Sequence, residues 1–219
     1  TVANAVVRAC RQTAVVSSRQ TRNVCILRSE QVATLAFVVS DRDLSMPIIS
    51  VYNNKGGEGK STVTVGLAEF LAARKNQRVL VIDLDAQASS SCALLGQETL
   101  RDAVPGGQTV SHLISEIRRK RRPIAKLDRF MIWRPATDAK NSALAEIAVM
   151  VPDGSRMFDI EDSLNWKKDH SLFQKFLRPA LAEFDYVLLD LPANVSKGTL
   201  ISINGLVMSD FVVIPVRPT

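Results

Sequence analysis

The sequence predicts an α/β domain of three layers, with helices on both faces of a parallel sheet. Three observations carry this. Four short apolar segments read as strands covered on both faces. Helical patterns lie between them. A glycine-rich turn joins the first of these strands to the first helix, and acidic residues close the second and third strands.

In order, Pro47 to Tyr52 reads as a short buried strand. Asn53 to Thr62 forms the glycine-rich turn, and Ser61 to Lys75 is a helical pattern with Val65, Ala68, Leu71 and Ala72 on one face. Arg78 to Ile82 is the next strand and runs into Asp83-Leu84-Asp85. Arg129 to Pro135 is a weaker strand candidate. Tyr186 to Leu189 is a third apolar strand and ends in Asp190. A helical stretch near Lys197 to Met208 then leads into the fourth strand, Phe211 to Pro215.

Strand, glycine-rich turn and helix form the setting of a phosphate-binding loop. Glycines let backbone N–H groups approach the phosphates, and the helix N-terminus favours negative charge. The usual pattern, G-x-x-x-x-G-K-[ST], needs glycine where Asn54 stands. Instead, Lys55-Gly56-Gly57-Glu58-Gly59-Lys60-Ser61 carries two lysines five residues apart. Lys60 holds the place that reaches the β- and γ-phosphates, and the Ser61 hydroxyl is placed for Mg²⁺. Lys55 has no evident use in its own loop. The competing reading, a glycine-rich hairpin with surface lysines, does not explain the flanking strand and helix. Asp190 fits the Mg²⁺-linked aspartate of a P-loop NTPase.

The 219 residues, 46% hydrophobic, suffice for one domain and its core. The net charge of +6 favours anionic partners. Cys10, Cys25 and Cys92 have neither metal-site nor disulfide-scaffold spacing, which suits a reducing cytosol. No apolar stretch reaches membrane-helix length, and the first residues resemble neither a signal peptide nor an anchor.

The nucleotide domain is expected to span residues 45–219. Residues 1–44 then form an extension, helical or mixed, with the apolar run Val32 to Val39 and six arginines: Arg8, Arg11, Arg19, Arg22, Arg28 and Arg42. It either docks on the core or a partner, or is passive. The chain stops just after a strand, so the domain is expected to be incomplete at its C-terminal end. The densest charge block is Arg118-Arg119-Lys120-Arg121-Arg122, followed by Lys126 and Arg129. Such a block can neutralise nucleic-acid phosphates without reading sequence, or it can be a solvated or partner-binding surface. No aromatic residues interleave it for base stacking.

The loop, Asp83-Leu84-Asp85-Ala86-Gln87 and Asp190-Leu191-Pro192-Ala193 together resemble the bacterial ParA family. These deviant-Walker ATPases partition plasmids and chromosomes; their relatives include MinD and nitrogenase iron protein. The resemblance runs from Pro47 to Pro218, about four fifths of the chain. It implies ATP and Mg²⁺ as cofactors. It places Lys60 on the β- and γ-phosphates, with Gly56, Gly57, Glu58 and Gly59 around them. Ser61 falls on Mg²⁺ and Thr62 near the α-phosphate. Asp83 falls near the Mg²⁺ shell, and Asp190 holds the ion through water. Asp85 matches the aspartate that orients the attacking water. Lys55 would reach the ATP of a second subunit across a homodimer. Pro215, Arg217 and Pro218 would face the adenine.

The function so implied is ATP-dependent DNA segregation in a bacterial cytoplasm, at the nucleoid. The ATP dimer would bind non-specific DNA, and a centromere-binding or adaptor protein would stimulate hydrolysis. Three alternatives stand beside it: an ATPase that positions a protein cargo, a MinD-like membrane ATPase, and a nucleotide-dependent regulatory module with little turnover. An iron–sulfur carrier is disfavoured, since Cys92 has no cysteine nearby in sequence. The chain departs from the family at Glu58, Ala86, Ala193 and Ser89-Ser90-Ser91. Glu58 sets a carboxylate beside the phosphates. Its removal is expected to raise ATP affinity unless the carboxylate faces Lys55 or an arginine.

Overall fold

The computed structural model describes residues 23–29, 32–39, 46–75, 77–135, 146–193 and 199–216. Its strands are β1 (Asn23–Ser29), β2 (Val32–Val39), β3 (Ile48–Val51), β4 (Val79–Asp83), β5 (Ile132–Trp133), β6 (Ile147–Met150), β7 (Tyr186–Asp190) and β8 (Phe211–Ile214). They form one sheet in the order β1-β2-β8-β3-β7-β4-β6-β5. The centre, from β8 to β6, is parallel. The two flanks are antiparallel, through β2 on β8 and β5 on β6.

The helices are α1 (Lys60–Lys75), α2 (Ser89–Leu95), α3 (Gln97–Ala103), α4 (Val110–Lys120), α5 (Gly154–Ser163), α6 (Trp166–Asp169) and α7 (Leu200–Met208). Strand alternation sorts the core into two layers. Val79, Val81 and Leu188 pack under α1 with Leu67, Ala68 and Leu71. Leu80, Ile82, Val187 and Leu189 pack on the opposite face against Leu113 and Ile117 of α4, Ile160 of α5 and Ile201 of α7. These strands are buried on both faces, so their sequence reads as unbroken apolar runs.

The four expected parallel strands are all present, within a residue or two of their predicted ends. A fifth, β6, is buried throughout and was not read from the sequence. Its four residues, Ile147-Ala148-Val149-Met150, include alanine and methionine, so β-branched enrichment is weak. The candidate strand at Arg129 to Pro135 shrinks to the two residues of β5, because Asp128–Phe130 forms a 3₁₀ turn just before it. The apolar run Val32 to Val39 of the extension is β2, which pairs with β1 and sets Ala36 opposite Ile214. The basic block is partly helical: Arg118, Arg119 and Lys120 form the last turn of α4, and Arg121 caps it in a left-handed conformation. Three cations there suit the negative end of the helix dipole.

Candidate functional site: a phosphate loop facing buried carboxylates

Parallel pairing brings the carboxyl ends of β3, β4 and β7 together, with Val51 level with Asp190 and Asp83 beside it. The phosphate loop leaves β3 at this edge and enters α1 at Lys60. Gly57 and Gly59 hold φ of +74° and +81°, a region that side chains disfavour, so the loop can curl its N–H groups inward. Asn53 pins the loop mouth: its amide donates to the Pro215 carbonyl at 2.6 Å, and its Oδ1 accepts from the Lys55 N–H at 2.8 Å. Pro215 therefore lies at the loop, as expected, while Arg217 and Pro218 fall outside the described residues.

The two lysines differ in placement. Lys60 is buried and near enough to Asp190 to help lower its pKa. The Lys55 side chain is 78% exposed, and its ammonium lies 3.1 Å from the Glu58 carboxylate, whose side chain is only 5% exposed. Glu58 therefore faces Lys55. The pair offsets the charge that the carboxylate would present to phosphates, and the expected gain in affinity on removing Glu58 shrinks accordingly. Ser61 is half-buried and close enough to Asp190 to lower its pKa, whereas Thr62 is exposed on the first turn.

Asp83 and Asp190 form a buried acid pair. Asp83 accepts from the Asp85 N–H at 3.1 Å, and from the Ser91 N–H at 2.9 Å and hydroxyl at 2.8 Å. Burial, then the Asp190 charge, push its pKa up to about 7. Asp190 is also raised, chiefly by burial, although the Ser61 and Ser90 hydroxyls and Lys60 pull the other way. Neither Asp190 oxygen completes a hydrogen bond, and both are buried. An orphaned buried carboxylate beside a serine hydroxyl suits a hard divalent cation, which takes few protein oxygens when phosphates and water supply the rest. Ser61, Asp190 and the adjoining Asp83 fit Mg²⁺.

Asp85 is half-buried at the rim. Its Oδ1 accepts from the Gln87 N–H at 3.0 Å and its carbonyl from the Ala88 N–H at 2.9 Å, a turn that Ala88 closes at φ +54°. Gly154, at the start of α5, packs against this turn so closely that a Cβ would stand 2.9 Å from the Ala86 carbonyl oxygen. Neither Ser91 nor Gly154 was singled out for a role at the sequence level. A D-x-D strand end followed eight residues on by serine is a weak signal, and the Gly154 contact is purely tertiary.

The basic block lies apart from this edge. Arg118 donates to the Ser163 hydroxyl at 2.7 Å, and Arg121 to the Lys168 carbonyl at 3.1 Å. Both guanidiniums also approach the buried Asp169. Lys120 and Arg129 pair with Glu116. Arg119 and Arg122 are exposed. A cleft of about 570 Å³ opens beside Arg119, Lys168 and Asn165, and a second of about 510 Å³ beside Arg122, Lys126 and Arg129. No helix among the described residues is long and apolar enough to cross a membrane.

A family model described as an AAA domain matches residues 46–219. The chromosome partitioning protein ParA of Myxococcus xanthus is 30% identical over 176 residues, covering 78% of this chain and 52% of that protein. The sporulation initiation inhibitor protein Soj of Bacillus subtilis is also 30% identical over 176 residues, covering 78% and 58%. A putative plasmid partition protein from Borrelia burgdorferi, solved bound to AMPPNP, superposes with a TM-score of 0.58 at 23% identity, covering 77% of this chain and 60% of that one. The chain thus spans between half and three fifths of the length of these relatives. With four fifths of its residues matched by one family model and the loop, D-x-D and Asp190 elements gathered at one sheet edge, the chain belongs to the AAA domain family, in its ParA/Soj group of deviant Walker A ATPases.

Proposed function

We propose that residues 45–219 are the nucleotide-binding domain of a partition-type ATPase that dimerises on ATP, and that residues 1–44 extend it. The observation that carries this reading is the split between the two loop lysines: Lys60 buried at the start of α1, Lys55 held at the surface. A single-subunit enzyme needs the first. The second is useful to a nucleotide outside its own loop.

Bound Mg²⁺·ATP would supply the phosphoryl group transferred to water, with the cation neutralising phosphate oxygens. Gly56, Gly57 and Gly59 present N–H groups to the phosphates, and Lys60 meets the β- and γ-oxygens. Asp85 orients the water, held for this by the Gln87 and Ala88 N–H groups. Lys55, on a flexible stem at the surface, leaves Glu58 and crosses to the second subunit. Fixed positive charge at the developing γ-phosphoryl charge lowers the barrier. Hydrolysis removes the nucleotide from the interface, and the dimer loosens.

Non-specific DNA is the partner assigned to the basic face, through Arg119 and Arg122, because Arg118, Lys120 and Arg121 are held by protein acceptors. Doubling this face in a dimer turns weak phosphate attraction into avidity. A centromere-binding or adaptor protein would trigger turnover, and the working place would be the nucleoid in a bacterial cytoplasm.

The test is sedimentation and phosphate release with ATP, ADP or no nucleotide, with and without non-specific DNA. Wild type is compared with Lys55→Ala. A dimer formed with ATP alone, which binds DNA and is lost or hydrolytically silent in the variant, is the expected result. Turnover by a monomer indifferent to Lys55 would overturn the reading.

A further inference from the structure

The acid pair has one hydroxyl beside it that the reading above leaves without a task. Ser90 is 0% exposed, and its Oγ makes no hydrogen bond. Its neighbours behave differently: Ser89 is exposed, and Ser91 spends both N–H and hydroxyl on Asp83. Ser90 lies close enough to both Asp83 and Asp190 for its hydroxyl to favour their charged forms. Both Asp190 oxygens are likewise buried and unpartnered. Three buried oxygens without partners at one point are rare in a folded protein. A hydroxyl with purely structural work would have closed a bond, as Ser91 does. A residue chosen only for small size needs no oxygen, since alanine fills that space.

We propose that the Ser90 hydroxyl is a positioning group for the divalent cation of the nucleotide site, completing with Asp190 and Ser61 the oxygen set that holds it. This rests on the nucleotide-site reading above. A hydroxyl suits the task, because it can accept from a cation-bound water or donate to the carboxylate. Outer oxygens of this kind orient the groups that touch a metal, and their loss weakens binding. The structure also separates the roles of two adjacent serines: Ser91 holds Asp83 in the protein alone, and Ser90 acts when the cation is present.

The experiment compares wild type, Ser90→Ala and Ser91→Ala in two measurements. One is Mn²⁺ affinity in the presence of saturating ADP, read by electron paramagnetic resonance. The other is the thermal midpoint of each protein in EDTA without nucleotide. For Ser90→Ala, Mn²⁺ binding weakens about tenfold. Its nucleotide-free midpoint stays at or above that of wild type, because no bond is broken. For Ser91→Ala, the nucleotide-free midpoint falls, since Asp83 loses a buried donor. Wild-type Mn²⁺ affinity in Ser90→Ala, or a drop in its nucleotide-free midpoint matching that of Ser91→Ala, overturns the proposal. If wild type itself shows no ADP-dependent Mn²⁺ binding, the nucleotide-site reading fails, and the inference goes with it.

Discussion

The Glu58 carboxylate sits in a loop built to receive phosphates, and the Lys55 ammonium at 3.1 Å answers its charge. Removing either partner alone therefore has unequal effects. Glu58→Ala should change ADP affinity by less than about threefold, since a pair with one exposed partner contributes little. Lys55→Ala should weaken it more, by leaving a buried carboxylate uncompensated near the phosphates. Adding Glu58→Ala to Lys55→Ala should restore affinity, and calorimetric titration of the four proteins reads this coupling. Independent, additive effects would mean the pair has no role in binding. Asp83 gives a pH signature. Its folded pKa of about 7 lies above the ordinary carboxylate value of 3.8, so the folded state holds a proton that the unfolded chain has already lost. Stability contributed by that proton is full below pH 4 and fades as pH rises toward 7. The nucleotide-free midpoint should fall across this window, and Asp83→Asn should flatten the slope. An unchanged slope would place the linkage on another group.

Short elements set the loops at the site, and their contacts are tight. Helix α5 begins at Asp153, whose carboxylate accepts from the Arg156 N–H, and Gly154 brings this end against the Ala86 carbonyl. At its other end Glu161 accepts from the Leu200 and Ile201 N–H groups that start α7. One helix thus touches the turn that holds Asp85 and the helix that follows the Asp190 strand. Gly154→Ala would force the turn to move, because its neighbour is backbone. The expected cost is about 1–3 kcal/mol by chemical denaturation, with a larger fractional loss of turnover than of ADP affinity. Equal loss of both would mean that the helix supports the fold without setting the turn. Helix α6 ends on Asp169, buried between Arg118 and Arg121. Asp169→Ala should destabilise the protein by about 3 kcal/mol and free two guanidiniums of α4. Retention on heparin should then rise while the denaturation midpoint falls. A fall in both would assign the two arginines to packing alone.

At the scale of the molecule, a parallel sheet buried on both faces fixes where a ligand meets the chain. Crossover helices cover the faces, and the carboxyl edge is left for the loops. If nucleotide joins two such edges, stability becomes a mass-action quantity. The thermal midpoint with a non-hydrolysed ATP analogue should rise with protein concentration, and with ADP it should not. Lys55→Ala should abolish the concentration dependence while keeping a shift from binding alone. A midpoint independent of concentration in wild type would point to a monomer.

Sequence by itself determined the α/β class, four of the five parallel strands, the phosphate loop and its carboxylates. Those features are local: glycine spacing, unbroken apolar runs and an acid at a strand end survive in one dimension. Tertiary structure alone decided the rest. It found β6, whose residues become a strand through pairing with β4 rather than through propensity. It joined Glu58 to Lys55 and divided the basic block into tethered and exposed cations. It also set Ser90 beside Asp190, one hundred positions along the chain. Burial and partner are properties of the packed chain. The cost of an unpaired polar group exists only once water has been excluded from it.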